Sequence, residues 1–576
     1  MQEKLKILIG EALKKLGIDA DVSNIVTEHP EDISNGDYST NVALVYSKQL
    51  KTSPKDLAEK VVAEISKNKI PEIEKVEVAG PGFINFYLSH EFFANSIKQI
   101  VEEGENFGKN DSLKNKKVII EYTDPNPFKE FHIGHLMSNS IGESIARLVE
   151  FSGAEVKRAC YQGDVGLHVA KAMSGILMNE SLLPNEKDSV ISKAEFLGMC
   201  YKTGSMMYES DDEHKQEIAE LNKKIYERSD KKINALYDLG KKWSLEYFEG
   251  IYKKLGTTFD YYFFESNTAD LGKKIVEENI GKIFEKSDGA VIFKGEKYDL
   301  HTRVFINKEG IATYEAKELG LAKIKHDEYS YDKSIIITGN EVRDYFSVVL
   351  KAMELLFPEL RAKTKHLSHG MLRLPTGKMS SRTGDVITAE SLMSDISKLI
   401  EEKIKDRGFD DDEKKEIAER VSIGAIKYSI LKQSAGSDII YDFEKSISFE
   451  GDSGPYIQYS FVRAKSVLEK LNNSGLVETI EKELSDDIDE GSSELEKMLY
   501  RFPEIVVRSQ NEYSLHYIAI YLTEIASLFN SFYANNKILD PDDLKTSAHR
   551  LALTKAVYIT LKNGLHLLGI KVPEKM

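Results

Sequence analysis

Apolar positions along the chain switch between two periods, and the switches lay out the elements. Val118-Ile119-Ile120 is a short continuous apolar run, the pattern of a strand buried on both faces of a parallel sheet. A helical period follows, with Ile141, Ile145, Leu148 and Val149 on one face. Glu155 to Cys160 predicts the next strand, so the three pieces form a βαβ unit of a doubly wound sheet. Residues 170 to about 255 read as charged, solvated helices carrying Trp243. Val291-Ile292-Phe293 and Ser334 to Thr338 predict two more strands, the second buried. Nearer the start, one helix runs from about Glu3 to Leu16 and stops at Gly17. Another opens at Ser53-Pro54 with Leu57, Val61 and Ile65 on one face. From about 390 onward the pattern is helical to the end, a bundle in which Tyr456 and Gln458 are candidates for partial exposure. The whole reads as an α/β multidomain protein. An α+β domain spans 1–110, a doubly wound domain spans 111–390 with a helical insertion at about 170–255, and an all-α domain spans 391–576.

Composition narrows the picture. A chain of 576 residues exceeds one hydrophobic core, and 41% hydrophobic with 30% charged residues is the balance of a soluble globular protein. No apolar run approaches the roughly 18 residues of a membrane span. The charged amphipathic start at Met1-Gln2-Glu3-Lys4 does not look like a secretory signal. Two cysteines, Cys160 and Cys200, are too few for a Cys-rich zinc site and point to a reducing compartment, with the cytoplasm as the expectation. A net charge of −16 argues against indiscriminate nucleic-acid binding, DNA included. Local basic patches can still hold one folded RNA, because screening confines a phosphate's view to about 10 Å at moderate salt.

The candidate chemistry lies in Glu121 to His135, E-Y-T-D-P-N-P-F-K-E-F-H-I-G-H. Pro125 and Pro127 keep this stretch from becoming helical, so His132 and His135 arrive at the start of the next helix. There, free N–H groups and the positive end of the helix dipole suit a phosphate. The two histidines are three apart and can face one bound group, and Gly134 lets a flat ring approach the backbone. Taken alone, H-x-x-H reads more readily as a capped helix with surface histidines.

Context separates the two. His132-Ile133-Gly134-His135 resembles the HIGH motif of class I aminoacyl-tRNA synthetases, and Glu121, Asn126 and Lys129 resemble its arginyl-tRNA synthetase version. Lys378-Met379-Ser380-Ser381-Arg382 resembles the KMSKS loop. Asn35 to Leu44 and Ala79 to Phe86 resemble the N-terminal domain of the arginyl enzymes, and the closing helices through Pro573-Glu574-Lys575-Met576 resemble their anticodon-binding domain. The resemblance implies a Rossmann-like doubly wound catalytic domain, an N-terminal domain touching the outer corner of tRNA, and a C-terminal anticodon-binding bundle. It implies L-arginine, ATP and tRNA(Arg) as substrates, with Mg2+ on the ATP phosphates and tRNA needed even for the first step. A monomer is expected. Catalysis falls on His132, His135, Lys129 and Lys378, and ATP binding on these with Gly134, Met379 and Ser380. Arginine binding falls on Glu121, Asn126, Tyr314 and Glu318, with Asp164 in a Gly-Asp-x-Gly turn at a strand's carboxyl end.

Three departures from the family pattern stand out. Cys160-Tyr161-Gln162 and Val165 replace the usual residues around that turn, Glu318 stands where Asp is usual, and Ser381 where KMSKS has its second lysine. Lys129 stands beside the same phosphates and could supply the missing charge. The rival reading, a small nucleotidyltransferase with H-x-G-H at a helix start, fits a much shorter chain without a helical C-terminal bundle.

Overall fold

The apolar run at Val118 becomes β1, Lys117–Glu121, and the branched side chains of Val118, Ile119 and Ile120 are buried. Described in this computed structural model are residues 1–373, 388–434, 436–474, 493–540 and 542–576. They form two compact units, one of Met1–Gly108, Ser460–Val506 and Tyr521–Asn563, the other of Lys109–Tyr459, Val507–Ile520 and Gly564–Met576.

The larger unit is built on β1. Helix α1, Ile133–Phe151, returns the chain to β2, Glu155–Gln162, which pairs in parallel with β1 from Lys117↔Glu155 to Glu121↔Ala159. The insertion follows as four helices: α2 Leu167–Met178, α3 Val190–Ser210, α4 Asp212–Glu227 and α5 Lys231–Leu255. Then come β3, Tyr261–Phe264, and α6, Glu265–Glu278. A small antiparallel sheet of Glu285–Ser287, Ala290–Phe293 and Arg303–Ile306 leads into α7, Tyr314–Glu328. Next are β4, Lys333–Gly339, α8, Arg343–Leu356, and β5, Thr364–His369. The parallel sheet runs β5-β4-β1-β2-β3, so the strand order reverses between β1 and β4, and ligands bind outside the carboxyl ends at such a reversal. The helices α9, Ala389–Ile404, and α10, Asp411–Leu431, follow.

Side chains fix α1 on the sheet. The Tyr122 hydroxyl donates to Glu143 (2.6 Å), which also takes Arg147 (2.7 Å) and Arg158 (3.1 Å). A Cβ on Gly142 would overlap the Tyr122 ring, so this position admits glycine alone at the present helix-to-strand spacing. The helix that carries the two histidines is thereby seated directly on the loop after β1.

Several sequence expectations shift. The strand expected over Glu155–Cys160 extends to Gln162. The strand at Val291 belongs to the small antiparallel sheet, and two strands of the main sheet had no period-based signal. Those are β3, an aromatic run, and β5, whose T-K-H-L-S-H carries no alternation. The insertion is not simply solvated. Trp243, Phe196, Leu197, Met173 and Cys200 are buried together in a core of its own with Phe128. Gln458, a candidate for exposure, is fully buried and donates to the Lys571 carbonyl (2.7 Å). A two-residue parallel pair, Leu372–Arg373 with Ile439–Ile440, interrupts the helical second half.

In the smaller unit, helices Gln2–Lys15 and Pro54–Ile65 pack on a three-stranded sheet around Leu5, Ile9, Leu57, Val61 and Phe86. Tyr500 joins this core, and Glu504 accepts hydrogen bonds from the Tyr38 hydroxyl (2.6 Å) and His29 Nε2 (3.0 Å). Among the described residues no helix is long and apolar enough to cross a membrane, and both cysteines are free and buried.

Candidate active site

The loop from Tyr122 to His132 is held in an unusual backbone path. Thr123, Asp124 and Phe128 all have positive φ, of 81°, 47° and 68°. Such conformations cost of order 1–3 kcal/mol each and persist where surroundings over-determine them. The surroundings are visible: the Thr123 N–H donates to Ser138 Oγ (2.9 Å), Asn139 donates to Thr123 Oγ1 (3.0 Å), and the Phe128 N–H donates to Ser244 Oγ (2.9 Å).

His132 caps α1, at the helix start where the sequence places the two histidines. Its Nδ1 accepts the Gly134 N–H (3.0 Å), while His135 Nδ1 accepts the His132 N–H (3.3 Å). The rings stack with centroids 3.6 Å apart. Burial and the Lys129 cation lower the pKa of His132; burial, then His132 and Lys129, take His135 well below the usual value. Both imidazoles are therefore neutral near pH 7. With each Nδ1 accepting, the proton sits on Nε2, so the pair offers two Nε2–H donors at a helix N-terminus.

Acids gather at the end of β1. Glu121 ends the strand and pairs with Lys325 of α7 at 2.5 Å, both nearly fully buried. Asp124 accepts the Tyr161 N–H (2.7 Å) and is pushed well above the carboxylate range by burial and by Glu121, with a contribution from Glu318. Burial and Glu121 likewise push Glu318 up to about 8. Three carboxyl groups thus share one lysine, and the site lacks positive charge. Asn126 Oδ1 lies against Gly163, where a Cβ would overlap it, and Glu265 Oε1 reaches the same spot.

Other predicted residues sit differently. The carboxylate of Asp164 is fully buried and already takes Lys241 (2.7 Å), the Tyr237 hydroxyl (3.1 Å), and the Ser266 N–H (2.9 Å) and hydroxyl (2.7 Å). It braces the loops after β2 and β3. Tyr314 opens α7 and is 55% exposed, beside the Lys317 ammonium (5.2 Å from its ring). Lys378, Met379, Ser380, Ser381, Arg382 and Gly384 lie outside the described residues. Where the chain resumes, Thr388 bridges to His132 and the Ala389 N–H donates to the Phe131 carbonyl (2.8 Å).

Reading the sequence missed Asp124, Lys325, Glu265 and Lys317. Glu265 is buried and pairs with Lys317 at 2.5 Å, whose ammonium also donates to the Tyr226 hydroxyl (2.9 Å). One signal was present: Lys325 falls four residues after Leu321, on a buried helix face, and a lysine there needs an anionic partner.

Known proteins match the chain along its length. Residues 96–443 match the family model for the class I (R) tRNA synthetase catalytic domain, 457–576 the DALR anticodon binding domain, and 3–88 the arginyl tRNA synthetase N-terminal domain. The arginine–tRNA ligase of Borrelia hermsii is 31% identical over 100% of this chain and 99% of its own. That of Fusobacterium nucleatum is 33% identical over 94% and 93%. The Thermus thermophilus arginyl-tRNA synthetase structure aligns over 100% of both chains with a TM-score of 0.79 and 21% identity. The Plasmodium falciparum one aligns over 100% and 99% with a TM-score of 0.80 and 20% identity.

Proposed function

The chain belongs to the arginyl-tRNA synthetase family, and from this we propose that it joins L-arginine to its cognate tRNA through an arginyl-adenylate. The arginine carboxylate attacks the α-phosphorus of ATP and pyrophosphate leaves. The terminal ribose hydroxyl of tRNA then attacks the adenylate carbonyl and AMP leaves. The observation that carries the reading is the acid cluster of Glu121, Asp124 and Glu318 around a single lysine, beside two neutral histidines at a helix start. A guanidinium is a planar fork of donors, and the cluster lacks what it brings.

Roles follow from position. The Nε2–H groups of His132 and His135 hydrogen-bond the phosphates, and Gly134 admits the adenosine. Lys129 and Lys378 neutralise the charge growing on the pyrophosphate, with Met379 and Ser380 on the same loop. Magnesium arrives as part of the Mg-ATP substrate, keeping waters and phosphate oxygens as ligands. Glu318 and Asp124 face the guanidinium or the α-ammonium, with Asn126, Tyr314 and Glu265 around them. Glu121 sets the local charge through Lys325, and Asp164 shapes the wall. Residues 1–110, 111–390 and 391–576 serve as tRNA-contacting, catalytic and anticodon-binding parts. The protein works as a monomer in the cytoplasm.

The test is pyrophosphate exchange with each amino acid, with and without tRNA. Arginine alone is expected to support exchange, and only with tRNA(Arg) present. Exchange with another amino acid, or with none, would overturn the reading.

Charge coupling adds a second expectation. Glu318 is protonated below about 8, and a bound cation favours its ionised form. Arginine binding near neutral pH should therefore release a proton, and affinity should rise with pH until about 8 and then level off. The charged groups facing Glu318 are Glu121, Asp124, Glu265 and Lys325, so the release belongs to the cluster. Calorimetry at pH 7 in buffers of different ionisation enthalpy measures it. Binding with no proton released would refute the shared-charge account.

A further inference from the structure

The helical insertion does more than connect two strands, because it reaches the phosphate end of the site. Gly198 of α3 lies against Glu130, where an added Cβ would come within 3.1 Å of that side chain. One turn later, Tyr201 presents its ring to Lys129, whose ammonium stands 4.6 Å from the ring centroid. The hydroxyl of Tyr201 is also within hydrogen-bonding reach of Lys129. Although burial raises the Tyr201 pKa, Lys129 foremost, then Ser205 and Lys171, outweigh it, so the phenol sits below its usual value. The same side chain is close enough to Tyr314 to affect its ionisation. The hydrogen bonds nearest Lys129 along the loop hold backbone: the Phe128 N–H on Ser244 (2.9 Å) and the Lys129 N–H on the Asn126 carbonyl (3.3 Å). Among the described contacts of Lys129, the Tyr201 side chain is what addresses the ammonium itself, through its ring and its hydroxyl.

We propose that Tyr201 is a positioning residue for the activation step, holding the Lys129 ammonium over its ring so that the cation faces the phosphates. A lysine has a flexible stem and considerable rotamer freedom, and a cation–π contact in a partly buried place removes that freedom without neutralising the charge. A carboxylate here would hold Lys129 as firmly but would cancel the charge that the phosphates need. The inference rests on the reading that Lys129 acts on the phosphates.

The experiment substitutes position 201 in the full-length enzyme and measures arginine-dependent pyrophosphate exchange with tRNA. Tyr201→Leu is expected to lower the exchange kcat roughly tenfold, the size of a partly desolvated cation–π contact, with arginine KM unchanged. Tyr201→Phe should stay within about threefold, because the ring remains. Replacing Tyr201 by phenylalanines of increasing fluorination keeps the shape and weakens the ring's negative face, so kcat should fall stepwise. In a Lys129→Ala background the Tyr201→Leu change should cost nothing further. A flat fluorination series, or an equal Tyr201→Leu loss in the Lys129→Ala background, overturns the proposal even where leucine lowers stability. If Lys129→Ala is itself fully active, the reading of Lys129 falls first; if it is slow while Tyr201→Leu is normal, only the role of Tyr201 falls.

Discussion

Lys129→Ala should lower the rate of arginine activation about 100-fold or more at saturating ATP, the loss typical of removing one preorganised group from developing charge. The reasoning begins with what the histidines cannot do. His132 and His135 are neutral, held so by burial and by Lys129 itself, and they donate hydrogen bonds without bringing charge. In a chain with Ser381 where the KMSKS loop has its second lysine, the sequence offers Lys129 as the replacement cation. Lys129 is half-buried, three residues before the helix cap, and carries no carboxylate partner among its described contacts; its ammonium rests on an aromatic ring. A charge kept available in this way suits a transition state in which pyrophosphate gains negative charge. The measurement is exchange at saturating ATP and arginine with tRNA present. Near-normal turnover would remove Lys129 from the mechanism.

Glu318→Gln should raise the arginine KM by about 30- to 100-fold, the loss expected when a charged hydrogen bond is removed, and leave the ATP KM within about threefold. Glu121 is already committed to Lys325, and Asp164 to four donors. Glu318, by contrast, is raised by burial and like charge and has no lysine of its own. Above about pH 8, where Glu318 is ionised, a buried acid set of this kind should reject citrulline by roughly 10⁴-fold, because the neutral ligand leaves the carboxylate unmatched. In the glutamine variant that discrimination should shrink, since an amide can meet a ureido carbonyl with its own N–H. Equal changes in both KM values, or citrulline rejection that stays intact, would show that Glu318 does not read the guanidinium. The extra methylene of Glu318 relative to the family's usual Asp makes reach a second variable. Glu318→Asp tests it by the same two constants.

Legibility varied with the range of the interaction. The βαβ start, the helix cap at His132 and the helical second half follow from periods and breakers, which act over a few residues. β3 and β5 were invisible because a sheet recruits strands by pairing, and an aromatic run or a polar edge strand has no period of its own. The insertion looked solvated because its charged faces dominate the pattern, while its core needs four helices and Phe128 together. Asp124 carries no signal of its own within Glu121 to His135, since its significance depends on Glu121 and Glu318 arriving beside it.

The sequence by itself determined the family and the identity of the groups that can do chemistry: a helix start with two histidines, a preceding lysine, and acids at fixed spacings. These are local, because capping, turn chemistry and strand burial depend on near neighbours. Only the tertiary structure decided which acid is already neutralised, which is left wanting a cation, and which ring steadies Lys129. Ionisation and side-chain pose depend on the groups within a few ångströms, and here those groups come from β1, α7 and α3, elements that lie far apart along the chain and meet only when it folds.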